Sequence, residues 1–192
     1  MEHVLGLLSA WLIKNEAIEP SDRELYEYAI YSFLISITPL VIFLIASGVI
    51  GMWWEGILII VPFMVIRKFS GGYHAKHAYV CFLMSVGLLG VSLYIAAFAS
   101  SSWILHILLC TSVISLAINS PIDSENKKIT KNEKMRYKYM TFLLIMIFLL
   151  VYLVLTVFRL ERYSTCVGIS MILTALLQLP CVFVKWFHRK GE

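Results

Sequence analysis

Charge is what this chain has least of. Asp, Glu, Lys and Arg supply 15% of its 192 residues and apolar residues 60%, where a soluble domain carries about a quarter charged. So little polar surface excludes a soluble globular enzyme or binding module, and makes lipid the solvent of the fold. Cysteine pairs are missing too. Cys81, Cys110, Cys166 and Cys181 each sit alone in an apolar stretch, which excludes a disulfide framework or a structural metal site built on a Cys-x-x-Cys spacing. No Gly-, Ser- or Pro-rich linker, internal repeat or low-complexity tract divides the chain, so residues 1–192 read as a single membrane domain. No basic stretch is interleaved with exposed aromatics on a soluble module, and nucleic-acid binding is not expected. Residues 1–20 lack a basic n-region and a small-residue cleavage site. They read as an amphipathic helix, lying on the membrane or packed against the bundle, and not as a signal peptide.

Apolar residues instead gather in runs. A spanning helix needs about 20 of them. Residues 32–50 form the first run, with Thr38-Pro39 inside it predicting a kink. Residues 51–54 turn the chain, and Trp53 and Trp54 beside Glu55 suit a membrane–water interface. The second run, 56–66, has only 11 residues and contains Pro62. At its helical rise it reaches roughly 17 Å, short of the ~30 Å hydrocarbon core. Residues 78–99, 103–118, 139–158 and 164–184 complete the series, separated by turns at 100–102 and 159–163 and by a hydrophilic loop at 119–138. The expected fold is an all-α polytopic membrane bundle of about six hydrophobic segments, the second short or incomplete. Alternating sides places the N-terminus, residues 67–77, the 119–138 loop and the C-terminal tail on one face. That face holds 14 of the 16 basic residues, all but Arg159 and Arg162, and the positive-inside rule makes it cytoplasmic.

One polar stretch does not read as an ordinary connection: Arg67-Lys68-Phe69-Ser70-Gly71-Gly72-Tyr73-His74-Ala75-Lys76-His77, followed by Cys81 at the start of a long apolar run. Histidine accepts and returns a proton near neutral pH. A cysteine thiol becomes a strong nucleophile once a neighbouring base or cation lowers its pKa. On one continuous helix His74 and Cys81 would share a face but stand about 10 Å apart along the axis, too far for proton transfer. A working pair therefore needs the helix bearing Cys81 to begin near Ala75 or later, with Gly71 or Gly72 in a turn. His77, one helical turn from Cys81, is the easier base by spacing alone, and spacing leaves the choice open. A metal held by His74 and His77 lacks a third ligand nearby, so no metal and no cofactor are expected. Cys110, Cys166 and Cys181 read as packing residues, and His106 as a neutral, hydrogen-bonded histidine inside an apolar run.

Arg67, the Gly71-Gly72-x-His74-Ala75 run and Cys81 seven residues after His74 resemble the signature of the accessory gene regulator protein B (AgrB) family, polytopic membrane cysteine peptidases that mature quorum-sensing peptides in Gram-positive bacteria. Ser120-Pro121-x-Asp123-x-x-Asn126-Lys127 resembles that family's Pro-x-Asp-x-x-Asn-Lys-Pro loop, with Lys128 standing where the family often has Pro. The resemblance covers nearly the whole chain and implies His74 as base and Cys81 as nucleophile. It implies cleavage of the C-terminal tail from a small amphipathic propeptide, then closure of a thiolactone or lactone ring from the acyl-enzyme thioester. It also implies a homodimer in the bacterial cell membrane.

Arg67 is a candidate for stabilising an oxyanion or holding a carboxylate, with Gly71 and Gly72 allowing substrate to approach the backbone. Asp123 or Asn126 could orient the histidine, although such a loop is more often an Asx-turn. The basic run Lys127, Lys128, Lys131, Lys134, Arg136 and Lys138 suits anionic lipid or an acidic propeptide tail. The rival class is a non-enzymatic transporter component or peptide receptor, since Pro- and Gly-broken helices also build transport sites. Against it, the apolar runs are nearly free of charge and no repeat relates two halves.

Overall fold

In a computed structural model of the chain, the described residues are 2–15, 18–71, 78–98, 103–122 and 131–190, and helix is the regular structure throughout them. The α-helices are α1 (Glu2–Lys14), α2 (Arg23–Val49), α3 (Trp53–Ser70), α4 (Ala78–Phe98), α5 (Trp103–Asn119), α6 (Lys131–Val157) and α7 (Glu161–Lys190), with a single 3₁₀ turn at Pro20–Asp22 before α2. By length and composition, three helical stretches among the described residues can cross a membrane: Pro20–Val49, Asn132–Val157 and Glu161–Phe183. Shorter apolar helices run over Phe82–Phe98 and Trp103–Asn119.

Burial ranks these helices. The apolar window of α7 is 56% buried, against 12% for α2 and 17% for α6. α7 is therefore the central post, packed on α3, α4, α5 and α6, while α2 and α6 turn broad faces such as Val41, Ile45, Leu150 and Leu153 outward. In a lipid solvent, apolar area does not by itself drive helices together, and close approach through small residues takes over. α7 supplies those residues: Ser164, Thr165, Ser170 and Thr174 are all buried. Gly168 admits the Tyr152 ring, which would stand 3.3 Å from an added Cβ. The core falls into two clusters that share α3 and α7. One gathers Phe43, Ile59, Phe63, Leu89 and Leu173; the other gathers Ile66, Leu116, Ile145, Val167 and Met171. His106 meets Tyr152 edge to face at 6.0 Å, an aromatic contact within the packing of α5 on α6.

Helices extend beyond the apolar runs. The short second run lies inside the 18 residues of α3, about 27 Å at the α-helical rise. Its apolar stretch stays short, with Glu55 at one end and Arg67 and Lys68 at the other. Pro62 deprives the Leu58 carbonyl of its helical donor, and beside that gap the Ser170 hydroxyl donates to the Ile59 carbonyl at 2.7 Å. α2 likewise continues through Pro39. Residues 131–138, expected as loop, form the first turns of α6, as their good helix formers Glu133, Lys134, Met135, Arg136 and Lys138 allow. α6 ends in a Schellman turn: Leu160 N–H donates to the Leu155 carbonyl at 2.9 Å and Arg159 N–H to Thr156 at 3.0 Å, with Arg159 at φ 56. α1 packs on α2, where the Ser9 hydroxyl donates to Glu27 at 2.6 Å, and it leaves Leu7, Leu8 and Trp11 exposed.

At the start of α3 the buried Glu55 carboxylate meets Arg162 of α7, Nε to Oε1 2.7 Å, with side-chain exposures of 6% for Glu55 and 54% for Arg162. The exposures make the pair asymmetric. Without Arg162 the carboxylate is left buried and uncompensated, whereas Arg162 without Glu55 can still be hydrated. Arg162→Met should accordingly lower the thermal midpoint in detergent more than Glu55→Gln does. Equal losses would show that the pair contributes only its mutual attraction.

Candidate functional site

The far end of α3 is where the two sequence motifs converge. α3 stops at Ser70, which is fully buried. Gly71 then takes φ 73, ψ −170, while its N–H donates to the Arg67 carbonyl at 3.1 Å. That backbone region is essentially confined to glycine. A second constraint coincides with it: a Cβ on Gly71 would stand 2.5 Å from the Ile122 carbonyl oxygen. Gly71 is thus required both for the turn out of α3 and for the approach of the segment after α5. A helix running unbroken from Phe69 to Cys81 does not form. α4, described from Ala78, carries Cys81; its start lies outside the described residues, and with it the expectation that this helix begins near Ala75 or later.

The segment after α5 is held against this turn through one acceptor. The Ser70 carbonyl receives the Ile122 N–H at 3.0 Å and the Gln178 Nε2 at 3.0 Å. The same Gln178 Nε2 lies 3.0 Å from Ser120 Oγ. Because a carbonyl only accepts, the amide nitrogen must be the atom that faces Ser70. Gln178 has no measurable exposure, and its Oε1 is buried without a hydrogen-bond partner among the described residues. Sequence reasoning missed Gln178. The available signal was an amide inside the apolar run 164–184, because an uncharged polar side chain at membrane depth needs a partner.

Arg67, in the last turn of α3, is partly buried, and its guanidinium carbon lies 5.5 Å from the Phe63 ring centroid. A cation there complements the negative end of the helix. Phe69 meets Tyr137 edge to face at 6.0 Å, which brings the first turns of α6 beside the end of α3 with Lys134, Arg136 and Lys138 exposed. Between α5 and α6 a cleft of about 250 Å³ reaches Ser120, lined by Leu116, Ala117, Lys138, Thr141 and Phe142 among others. The structure thus brings together Arg67, Gly71 and the beginning of the Ser120-Pro121 loop. Gly72, His74, Asp123 and Asn126 lie outside the described residues, as does the side chain of Cys81, and the imidazole–sulfur separation with them. Cys166 is buried in the core and Cys110 is exposed on α5; neither belongs to this cluster.

A family model described as Accessory gene regulator B matches residues 7–179. A curated relative, Accessory gene regulator protein B of Staphylococcus saprophyticus, is 28% identical over 124 residues, 64% of this chain and 64% of the relative. The match thus spans a little under two thirds of the relative's length. No solved structure matches the chain.

Gly71→Ala should destabilise the protein by about 1–3 kcal/mol, the usual cost of a residue forced into such a backbone region. Gly87, inside α4 with open space around it, is the control: Gly87→Ala should be neutral or mildly stabilising. Thermal unfolding of both variants in detergent checks the contrast, and equal behaviour would remove the turn requirement at Gly71.

Proposed function

Since the chain belongs to the accessory gene regulator B family, we propose that it is a membrane cysteine endopeptidase, one domain over residues 1–192, that cleaves the C-terminal tail from a small propeptide and cyclises what remains. The observation that carries this reading is the junction at Ser70, where the segment leading into Gly72-x-His74 and the segment leading into Asp123-x-x-Asn126 share one carbonyl acceptor. The end of α3 at Gly71 also supports it, because chemistry between His74 and Cys81 requires the chain to leave the helix before Cys81.

The chemistry then follows from the groups. His74 takes the Cys81 proton, and the thiolate attacks the scissile carbonyl. Arg67 stabilises the negative charge that develops on the carbonyl oxygen. The tetrahedral adduct collapses, the imidazolium gives its proton to the leaving amine, and the C-terminal tail departs. A thioester joins the remaining peptide to Cys81. A thiol or hydroxyl within that peptide attacks the thioester, His74 takes its proton, and the Cys81 thiolate leaves and is reprotonated. The product is a thiolactone or lactone, and shielding from bulk water favours it over hydrolysis. In this reading Asp123 or Asn126 orients the imidazole, and the exposed Lys134, Arg136 and Lys138 receive an acidic propeptide tail. The protein works as a multi-pass homodimer with active site and both termini cytoplasmic, in keeping with the 14 of 16 basic residues on that face.

Cys81→Ala and His74→Ala should each abolish propeptide cleavage while membrane insertion is retained; Cys110→Ser and Cys181→Ser should keep most activity. Cleavage by Cys81→Ala would end the proposal, and a loss in His77→Ala equal to that in His74→Ala would reopen the choice of base. Orientation is tested separately by impermeant thiol labelling. Single cysteines at Asn126 and Gly191 should react only after the membrane is opened, and one at Ser101 should react in intact cells. Labelling of Asn126 from outside would invert the topology.

A further inference from the structure

We infer that Gln178 is a positioning residue for the proposed peptidase centre, fixing where α3 releases the chain into the His74 segment and where α5 releases it into the Asp123 segment. The inference rests on the reading of His74 and Cys81 given above. Its evidence is the geometry of the junction. Gln178 is fully buried on α7, the central post of the fold, and its one amide nitrogen reaches both the Ser70 carbonyl and the Ser120 hydroxyl at 3.0 Å. Ser70 is the last residue of α3, and Ser120 the first after α5. Each stands just before a segment that the proposed chemistry uses.

Holding the helices together does not require this amide. α3 and α7 already meet through Ile59, Ile66, Val167 and Met171 and through the Ser170–Ile59 hydrogen bond. Gln178 also keeps a buried Oε1 without a partner among the described residues. An unpaired buried acceptor is a burden on stability, and an apolar side chain of the same length would relieve it. A residue that leaves a buried acceptor unpaired among the described residues and contacts two motif boundaries has the character of a functional-site residue, where placement is favoured over stability. The two hydrogen bonds set the register of one motif segment against the other, and small misplacements of reacting groups are costly in rate.

Gln178→Met keeps the length and removes both bonds. In full-length protein reconstituted in phosphatidylcholine–phosphatidylglycerol vesicles, the probe is the rate of Cys81 alkylation by iodoacetamide against pH, in a background carrying Cys110→Ser and Cys181→Ser so that the buried Cys166 is the other thiol left. Wild type should react well below the pH range of an ordinary thiol. Gln178→Met should raise the apparent thiol pKa by at least about one unit, a loss of about tenfold in rate at pH 6. Its thermal midpoint should stay equal to or above wild type. Thr174→Val, which removes a buried hydroxyl one turn away on α7, should leave the profile unmoved. Ser120→Ala removes one arm of the junction with little loss of volume and should move the profile less, in the same direction; it decides the matter if Gln178→Met does not fold. Superimposable profiles for wild type, Gln178→Met and Ser120→Ala would overturn the role of Gln178 alone. A wild-type Cys81 that titrates as an ordinary thiol would instead overturn the peptidase reading, and this inference with it.

Discussion

A backbone carbonyl at the end of a helix has no helical donor, and in a lipid environment no water replaces one. The end of α3 meets that constraint inside the protein. Ser70 is fully buried, so its carbonyl must find donors from elsewhere in the chain, and it finds Ile122 N–H and the Gln178 amide. Meeting the constraint this way has a geometric consequence. Two segments far apart in sequence, one leaving α3 and the other leaving α5, are fastened to one atom and to the central helix α7. Irregular backbone in lipid is tolerated only where protein surrounds it, and here Ile122 and Gln178 surround the end of α3.

The two ends of α3 show the same economy in different chemistry. At its start, Glu55 is buried and answered by Arg162; at its end, Ser70 is buried and answered by Gln178. Both answers come from α7. A helix with so short an apolar stretch cannot be located by hydrophobic matching to the bilayer alone. Polar fastenings at both ends fix its depth and rotation, with the Ser170 contact to Ile59 between them. α2 and α6 are longer and largely exposed.

Much of this was legible in the sequence, for identifiable reasons. Apolar runs announce helices because nothing else satisfies the backbone in lipid, and the all-α fold follows. The turn at Gly71 was legible because Gly71-Gly72 offers backbone conformations closed to other residues, and a working His74–Cys81 pair would need the chain to leave the helix there. Other features were not. Residues 131–138 read as loop because polarity marks the end of an apolar run, yet helical hydrogen bonding continues wherever the residues are good helix formers. Gln178 was invisible because its partners lie 108 and 58 residues away, and no periodicity encodes such contacts. The second glycine constraint, the approach of Ile122 to Gly71, was hidden for the same reason.

For the proposed reaction, the position of the junction bears on the balance between cyclisation and hydrolysis. A thioester yields a ring only if the internal nucleophile arrives before water, so the acyl-enzyme must be ordered on one side and dry on another. The boundaries of both motif segments are buried: Ser70, Ser120 and Ile122 are all closed to solvent, as is the amide that joins them. The exposed cations Lys134, Arg136 and Lys138 stand on the neighbouring turns of α6, beside the Phe69–Tyr137 contact. Ordering and hydration are therefore separated in space, with dry fixed points on α3, α5 and α7 and a wet basic rim on α6. An acidic tail drawn to that rim would leave toward water once cut. The thioester would stay with the segments anchored on the dry side, where the competing nucleophile is the peptide's own side chain.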